Sequence, residues 1–345
     1  MKYKVGMFGG SFDPFHIGHI HDIIRGAGYC DELYVVISWC KGRESIPHKQ
    51  IERWIYYLTR HLTNIKIITI EDKAISKEQY NTDYFWEQGA KDIKIKIQKP
   101  IDVVFCGSDY KGTNRFESLY APQSEIIYFD RKEVPISSTE IRFDPIKQWE
   151  YLPDICREYY AKRVLIVGSE STGKSTLTQN LALAYNTNFV SEIGREVCAL
   201  VGSEERMNLD DLVINLIRQK DEEIKAVMKC NRILFVDTDA LTTKFYGNIL
   251  LTSESEIEKC NLLADAINDL NRFDIVFFLE PTVDFIQDGT RNEAIKNERT
   301  YYSEQLKQLF VEKDIPIVIL NGSYNERFDT AKIEIKNKLG ISTKW

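Results

Sequence analysis

The chain of 345 residues is 43% hydrophobic and 28% charged, with a formal net charge of −7 and a pI near 5.5. This composition is typical of a soluble globular protein, and the length suffices for two domains that each bury a core. The acidic balance argues against a large nucleic-acid surface and no apolar run approaches the roughly 20 residues that span a bilayer, so we expect neither nucleic acid nor a membrane as a partner.

Two sets of strand-like runs follow one another along the chain. The first half contains KYKVGMF, ELYVVIS, IKIITI, DVVFC and EIIYF, and the second contains RVLIVG, NFVSE, RILFVDTD, FDIVFFLE and IPIVILNG. Amphipathic stretches such as HKQIERWIYYLTRHL separate most of them. Apolar strands with helical crossovers predict an α/β chain with two doubly wound parallel-sheet domains. We expect these domains over residues 1–158 and 161–345.

The seven cysteines are widely spaced and form no Cys-x-x-Cys pair. That spacing argues against a zinc site or a disulfide framework and favours a reducing compartment, so we expect a cytoplasmic protein. The N-terminal run MKYKVGMFGGSF has the pattern of neither a signal peptide nor a membrane anchor.

The segment GMFGGSFDPFHIGH, residues 6–19, predicts a turn that binds phosphate. A strand ends at Phe8, and Gly9 and Gly10 would let a phosphate approach the backbone closely. Ser11 follows as a further expected contact to ATP.

The same segment carries a His-x-Gly-His element at the expected start of a helix. His16 and His19 are three residues apart, so they can share one face and converge on phosphate oxygens beside the N–H donors of the helix terminus. A lone histidine is more often structural, so this interpretation depends on the whole motif. The segment ISSTEIR would complete a clamp on the triphosphate with Ser137, Ser138, Thr139 and Arg142.

The segment GSESTGKST, residues 168–176, has the full Walker A spacing, with a strand-like run before it and a helix-like run after it. Backbone N–H groups would hold the β-phosphate, Lys174 would reach the β- and γ-phosphates, and Ser175 would bind Mg²⁺. A plain Gly/Ser turn is the alternative, and the flanking strand and helix argue against it. The expected ATP contacts are Gly168, Ser171, Thr172, Gly173, Lys174, Ser175 and Thr176.

Carboxylates at two further strand ends are candidates for the rest of this site. Asp237 and Asp239 end the run RILFVDTD, where ligands gather in open α/β sheets. We expect Asp237 to act on Mg²⁺ and substrate and Asp239 to orient the accepting hydroxyl, while helix capping is the structural alternative for either. Glu192, with Arg195 behind it, would hold or deprotonate a ribose hydroxyl, or is a surface charge. Which carboxylate is the base stays open.

The segment DGTR, residues 288–291, together with Arg299, suits a loop that brings positive charge to a transferring phosphoryl group. Arg291 is the catalytic candidate in it. No Asn-Lys-x-Asp element for reading guanine occurs in the second half, which favours a small-molecule kinase over a GTPase.

The glycines, the His-x-Gly-His element and the distant Ser-Ser-Thr-x-x-Arg resemble the nucleotidyltransferase superfamily of adenylyltransferases. Over both halves the chain resembles the NadR-type family, in which a Rossmann-like nucleotidyltransferase domain precedes a P-loop kinase domain. The matching segments are WEYLP, SEIGRE, DTD followed by TT, and DGTR. The segment IERWIYYL, which contains Arg53, matches more weakly, and the resemblance implies no role for it. Members with an N-terminal helix-turn-helix act as repressors; a strand is expected here by residue 3, so we do not expect that role.

The resemblance implies a bifunctional enzyme of NAD biosynthesis, an adenylyltransferase for nicotinamide mononucleotide (NMN) and a ribosylnicotinamide kinase. The implied ligands are nicotinamide riboside, NMN, NAD and ATP with Mg²⁺. Gly107 and Asp109 would line the adenosine pocket of the first domain. Trp86 would stack on nicotinamide or pack in the core, and Tyr246 would contact the kinase substrate. The sequence leaves open whether the chain forms a homo-oligomer.

Two other functions stay open at this point. The first half could adenylylate another phosphate substrate, such as phosphopantetheine, and be fused to a small-molecule kinase. The chain could also be a non-catalytic regulator that senses NAD or ATP, although the intact Lys174, Ser175, His16 and His19 argue against loss of catalysis.

Overall fold

The computed structural model describes residues 2–286 and 297–343. The chain divides into two compact units, Met1–Arg157 and Glu158–Trp345. Each unit is built around its own sheet of five strands, and every pair of neighbouring strands in both sheets is parallel. The predicted α/β chain with two parallel-sheet domains is therefore confirmed.

The first unit has a sheet in the order of the first five strands of a Rossmann fold. Its strands are β1 (Tyr3–Gly10), β2 (Cys30–Trp39), β3 (Ile65–Glu71), β4 (Val103–Gly107) and β5 (Glu125–Phe129). The order across the sheet is β3-β2-β1-β4-β5. Its helices are α1 (Ile17–Tyr29), α2 (His48–Thr59), α3 (Lys77–Tyr80), α4 (Asp83–Ile97), α5 (Arg115–Tyr120), α6 (Ser138–Phe143) and α7 (Asp154–Arg157).

The second unit has the strand order β10-β9-β6-β8-β7. Its strands are β6 (Lys162–Gly168), β7 (Phe189–Val190), β8 (Ile233–Asp237), β9 (Ile275–Leu279) and β10 (Val318–Leu320). The described helices are α8 (Lys174–Tyr185), α9 (Ile193–Val201), α10 (Leu209–Val227), α11 (Ala240–Leu250), α12 (Glu254–Asp269), α13 (Arg299–Glu312) and α14 (Tyr324–Leu339).

The central strands are largely apolar because helices cover both faces of each sheet. Every residue of β4, β8 and β9 is buried. In the first unit the apolar side chains of the sheet pack with those of α4 and α5, whereas in the second a separate apolar cluster joins α9, α10, α11 and α12. Within the described residues, none of the helices is both long and apolar enough to cross a membrane.

This topology places the predicted motifs where open α/β sheets bind ligands, at the carboxyl ends of the strands. In the first unit the strand order reverses between β1 and β4, so the glycines that end these strands lie at the same edge. In the second unit β6 ends at Gly168, and the neighbouring β8 ends at Asp237.

Candidate active sites

The turn after β1 leads directly into the two histidines. Phe8 is buried against Phe12, and Gly9, Gly10 and Ser11 follow it at the surface of the turn. A Cβ atom at Gly9 would have no neighbour nearer than 3.8 Å, so its backbone can be reached by a ligand. These are the positions that the sequence predicts for phosphate binding.

His16 and His19 form one stacked pair at the start of α1. Their ring centroids are 3.7 Å apart, and His16 is only 2% exposed. Neither ring nitrogen of His16 has a hydrogen-bond partner within the described residues. Burial and the nearby charge of Arg131 lower the pKa of His16 to about 3, and burial also lowers the pKa of His19 well below its usual value. The rings are therefore neutral near pH 7, and each can donate one N–H to a phosphate oxygen.

The short helix α6 is held against the loop that precedes the histidines. The Arg142 guanidinium donates to the backbone carbonyl of Asp13 and, at 3.0 Å, to the Thr139 hydroxyl. The Ser138 hydroxyl donates to the Pro14 carbonyl at 3.1 Å, while Ser137 is the N-cap of α6. The structure thus brings the predicted clamp residues beside the His-x-Gly-His loop.

Arg131 is a residue of this site that the sequence did not indicate. Its Nε donates to Asp109 at 2.8 Å, and its charge acts on both histidines. A Cβ atom at Gly107 would lie 2.4 Å from the Asp109 carboxylate and 2.7 Å from Arg131 Nε, so only glycine leaves room for this ion pair. Its position could have indicated it, because Arg131 lies two residues after the end of β5, at the edge of the sheet where ligands bind.

Trp86 lies in an aromatic cluster near the start of α4. Its ring centroid is 5.5 Å from that of Tyr80, 5.8 Å from that of Tyr110 and 5.5 Å from that of Phe116. The Arg115 guanidinium lies 5.0 Å from the ring centre. These contacts fit a packing role, so stacking of Trp86 on nicotinamide stays a prediction.

In the second unit, the phosphate-binding loop is shaped by two glycines with positive φ, Gly168 at 152° and Gly173 at 86°. A Cβ atom at Gly168 would lie 2.6 Å from the Leu279 carbonyl oxygen. The Lys174 ammonium and the Thr172 hydroxyl both donate to the Ser169 carbonyl, at 3.1 and 2.8 Å. These two hydrogen bonds close the loop, and the Lys174 side chain lies over it, as expected for a loop that binds phosphate. Thr176, two positions after Lys174, is exposed.

Two arginines donate hydrogen bonds to backbone carbonyls of this loop. Arg327 is 1% exposed and donates to the Thr172 carbonyl and, at 2.7 Å, to the Glu280 carbonyl. Arg299, expected to act on the transferring phosphoryl group, donates at 3.1 Å to the carbonyl of Ser171. The candidate Arg291 and the rest of DGTR lie outside the described residues.

Four of the predicted kinase residues meet at the start of α8. The Arg195 Nη2 atom is 3.3 Å from both Ser175 Oγ and Glu192 Oε2. Asp237 is 2% exposed, and one of its carboxylate oxygens has no hydrogen-bond partner within the described residues. Burial, then the charge of Glu192, raises the pKa of Asp237 to about 7, although Lys174 and a hydrogen bond with Ser175 lower it. This buried oxygen beside a hydroxyl fits a Mg²⁺ ligand.

Asp239 has a different environment. Its Oδ1 atom accepts from the Thr242 backbone N–H at 3.1 Å and from the Thr242 hydroxyl at 3.0 Å, which caps the N-terminus of α11. Burial raises the pKa of Asp239 to about 6, and the negative charge of Glu223 on α10 also raises it. The structure thus gives Asp239 the capping role, and its catalytic role stays a prediction.

Glu170 and Glu204 are two acidic residues of this site that the sequence did not indicate. Glu170 lies inside the phosphate-binding loop and is buried. Burial and the Glu170 carboxylate raise the pKa of Glu204 to about 9. Burial and the same carboxylates raise the pKa of Tyr246, which also hydrogen-bonds Glu170. Tyr246, a predicted substrate contact, therefore faces an acidic pocket that begins at the loop itself.

Comparison with known proteins supports this reading of both units. Residues 7–144 match the cytidylyltransferase-like family, and residues 163–327 match the AAA domain family. Over 348 residues the chain is 26% identical to the trifunctional NAD biosynthesis/regulator protein NadR of Escherichia coli (strain K12), an alignment that covers 95% of this chain and 81% of that protein. The first unit is 32% identical over 142 residues to a phosphopantetheine adenylyltransferase of Mycoplasma mycoides, covering 40% of this chain and 94% of that protein.

Solved structures of NadR have the same fold over the whole chain. A crystal structure of NadR in complex with NR covers 100% of this chain and 98% of that one, with a TM-score of 0.85 and 22% identity. A second, in complex with NAD and AMP-PNP, covers 99% and 98%, with a TM-score of 0.82 and 22% identity.

Fold and sites together define a chain that joins a nucleotidyltransferase-like domain to a P-loop nucleoside-triphosphate-binding domain. The similarity extends through both units and keeps their order along the chain. The chain is a homologue of the NadR proteins over both units, and the resemblance seen in the sequence is confirmed.

Proposed function

We propose that the chain is a bifunctional enzyme of NAD biosynthesis. The second unit transfers the γ-phosphoryl group of ATP to nicotinamide riboside, which gives NMN and ADP. The first unit transfers the adenylyl group of a second ATP to NMN, which gives NAD and pyrophosphate. The observation that carries this proposal is one chain that holds both the stacked His16–His19 pair and the Lys174 loop, in the order found in NadR proteins.

In the kinase reaction, the 5′-oxygen of the riboside attacks the γ-phosphorus, and the bond to the β-phosphate oxygen breaks. Lys174 would neutralise charge on the β- and γ-phosphates. Asp237 and Ser175 would hold Mg²⁺, which would offset the negative charge of the phosphates. Glu192, which accepts a hydrogen bond from Arg195 at 3.3 Å, would accept the proton of the attacking hydroxyl.

In the adenylyl transfer, a 5′-phosphate oxygen of NMN attacks the α-phosphorus of ATP, and pyrophosphate leaves. A phosphate is already a competent nucleophile, so the unit has to align the reactants and stabilise developing charge. The neutral rings of His16 and His19 would donate hydrogen bonds to the phosphates. Arg142, already fixed to the Asp13 carbonyl, would supply positive charge beside them.

The proposal is tested by incubating the protein with nicotinamide riboside, ATP and Mg²⁺. The expected products are ADP, pyrophosphate and NAD in equal amounts once NMN has been consumed. NMN should appear first and then decline. Absence of both NMN and NAD, from a folded protein that binds ATP, would refute the kinase assignment.

A second candidate concerns the first unit alone. Its similarity to a phosphopantetheine adenylyltransferase favours a different phosphate acceptor at the same histidines. Supplying NMN and 4′-phosphopantetheine separately, each with ATP and Mg²⁺, decides between them. We expect pyrophosphate release with NMN; release only with phosphopantetheine would establish the second candidate. A regulator without catalysis would release none with either.

A further inference from the structure

A large open groove of about 780 Å³ lies on the first unit, away from the predicted site residues. One wall is a face of α2, and the other is β3, the edge strand of the sheet, with Tyr34 of β2 behind it. Small-molecule sites usually have volumes of roughly 300–1,000 Å³, so this groove is of ligand size. None of its lining residues belongs to the adenylyltransferase site described above.

The groove is cationic, although the unit that carries it is not. Residues 1–157 contain 22 basic and 22 acidic side chains. In the groove the balance is four to one, with Lys49, Arg53, Arg60 and Lys66 against Glu52. Such a local excess in a neutral unit favours an anionic occupant.

Some cations of the unit are neutralised by ion pairs, since Lys99 and Arg131 bind carboxylates at 2.6 and 2.8 Å. In the part of the chain that the structure describes, no ion pair joins any of the four groove cations to a carboxylate. No close carboxylate among the described residues therefore neutralises them, although Lys66, after Lys99, contributes to the lowered pKa of Glu32.

The helix face in the groove combines cations with an aromatic ring. Arg53, Tyr56 and Arg60 recur every three or four residues, which places them on one face of α2 and its end. Tyr56 is 62% exposed. Arg60 is held by the neighbouring Tyr57 ring, with its guanidinium 4.7 Å from the ring centre. An exposed aromatic ring on the same helix face as two arginines suits a ligand that has both an aromatic base and a phosphate.

We propose that this groove is a nucleotide-binding site outside both reaction centres. The phosphate lies against Arg53, Arg60 and Lys66, and the base lies against Tyr56. A second copy of the chain that docked through the same groove would bring eight cations together, so charge disfavours that occupant. The site does not depend on which reactions the chain catalyses.

Photolabelling with 8-azido-AMP, followed by peptide mapping, tests this site in the full-length protein. We expect label on the peptide that contains Tyr56, with unlabelled AMP and inorganic tripolyphosphate both competing. The Arg53→Gln/Arg60→Gln variant should lower this labelling by about tenfold or more, because each hydrogen bond to a charged group contributes on the order of tenfold in affinity. Lys66→Glu, on the opposite wall, should do the same.

The matched control is Lys91→Gln/Lys132→Gln, which removes two exposed cations of the same unit outside the groove. It should leave the labelling unchanged, and NAD formation at saturating substrate should be equal in all these variants. Three results would overturn the proposal: label confined to the peptides of the two predicted reaction centres, equal label in the groove variants and the control, or protection of the groove by poly-glutamate but not by AMP. The last result would identify an acidic protein segment as the occupant.

Discussion

The imidazole rings of His16 and His19 stack with their centroids 3.7 Å apart and their planes inclined by 21°. Two protonated rings at this separation would repel each other, and burial already disfavours the charged form of each. Neutral rings can approach one phosphate together, because each offers an N–H without adding a like charge beside the other. The pair is therefore suited to orient phosphate oxygens.

The depressed pKa values predict acid sensitivity. In the unfolded chain these histidines take up protons near pH 6.5, whereas in the folded state they do not, so stability falls as the pH drops below 6.5. For His16, with a pKa of about 3, the loss at pH 5 is on the order of 2 kcal/mol. His16→Gln should melt with a shallower dependence between pH 7 and 5 than the wild type. The control is His61→Gln, which replaces an exposed histidine of the same unit and should keep the wild-type pH dependence of melting.

Arg142 should matter for adenylyl transfer and not for the kinase reaction. Arg142→Ala removes a preorganised charge and the hydrogen bond to the Asp13 carbonyl. We expect the rate of NAD formation from NMN to fall by roughly 10² to 10³, with riboside phosphorylation unchanged. Arg142→Lys should recover only part of this rate, since an ammonium cannot reproduce the two contacts of the guanidinium. Full activity of Arg142→Ala would contradict its assignment.

Gly173→Ala should impair the kinase site through backbone strain and through a steric clash. Gly340→Ala introduces the strain without the clash, so it separates the two effects. Gly173 has a φ of 86°, and a Cβ atom would lie 2.7 Å from the Tyr324 ring. Gly340 has a φ of 68° and no heavy atom within 4 Å of its built Cβ. Both variants should lose on the order of 1–2 kcal/mol from backbone strain. Only Gly173→Ala should also lose riboside phosphorylation; equal activity in the two would show that the loop tolerates the clash.

Asp237 should make Mg²⁺ use and stability depend on pH. Its pKa is raised to about 7, above the unfolded value of 3.8, mainly by burial. Without Mg²⁺, its contribution to stability is therefore present below pH 4 and lost as the pH rises through 7. The melting temperature of Asp237→Asn, measured relative to that of the wild type at the same pH, should therefore rise between pH 5 and pH 8. The Mg²⁺ concentration for half-maximal kinase activity should be higher at pH 6 than at pH 8, since protons compete for the carboxylate.

The sequence predicted the strands well because parallel central strands are largely apolar. Each of the ten predicted runs overlaps a strand in the structure, although NFVSE shortens to Phe189–Val190 at the edge of its sheet. The two phosphate loops were likewise predictable, because their glycines and polar residues are contiguous in the chain.

The rest of the candidate sites depends on residues that are distant in sequence. Arg131 joins the histidines only because β5 lies next to β4. The contacts of Glu170 with Glu204 and Tyr246 require three separate segments to meet. The run VDTD does not show which role belongs to Asp237 and which to Asp239. Their hydrogen-bond partners distinguish them, because Asp237 pairs with Ser175 and Asp239 with Thr242.

The division of the two reactions between separate centres is tested most directly by mixing two single variants. Lys174→Ala should lower riboside phosphorylation by roughly 10² to 10³ while it still converts supplied NMN to NAD. His19→Ala should accumulate NMN from the riboside and form almost no NAD. Neither variant alone should make NAD from nicotinamide riboside and ATP, and an equimolar mixture of the two should restore its formation through free NMN. A mixture of the two folded variants that still makes no NAD, or wild-type conversion by either one alone, would contradict two independent reaction centres.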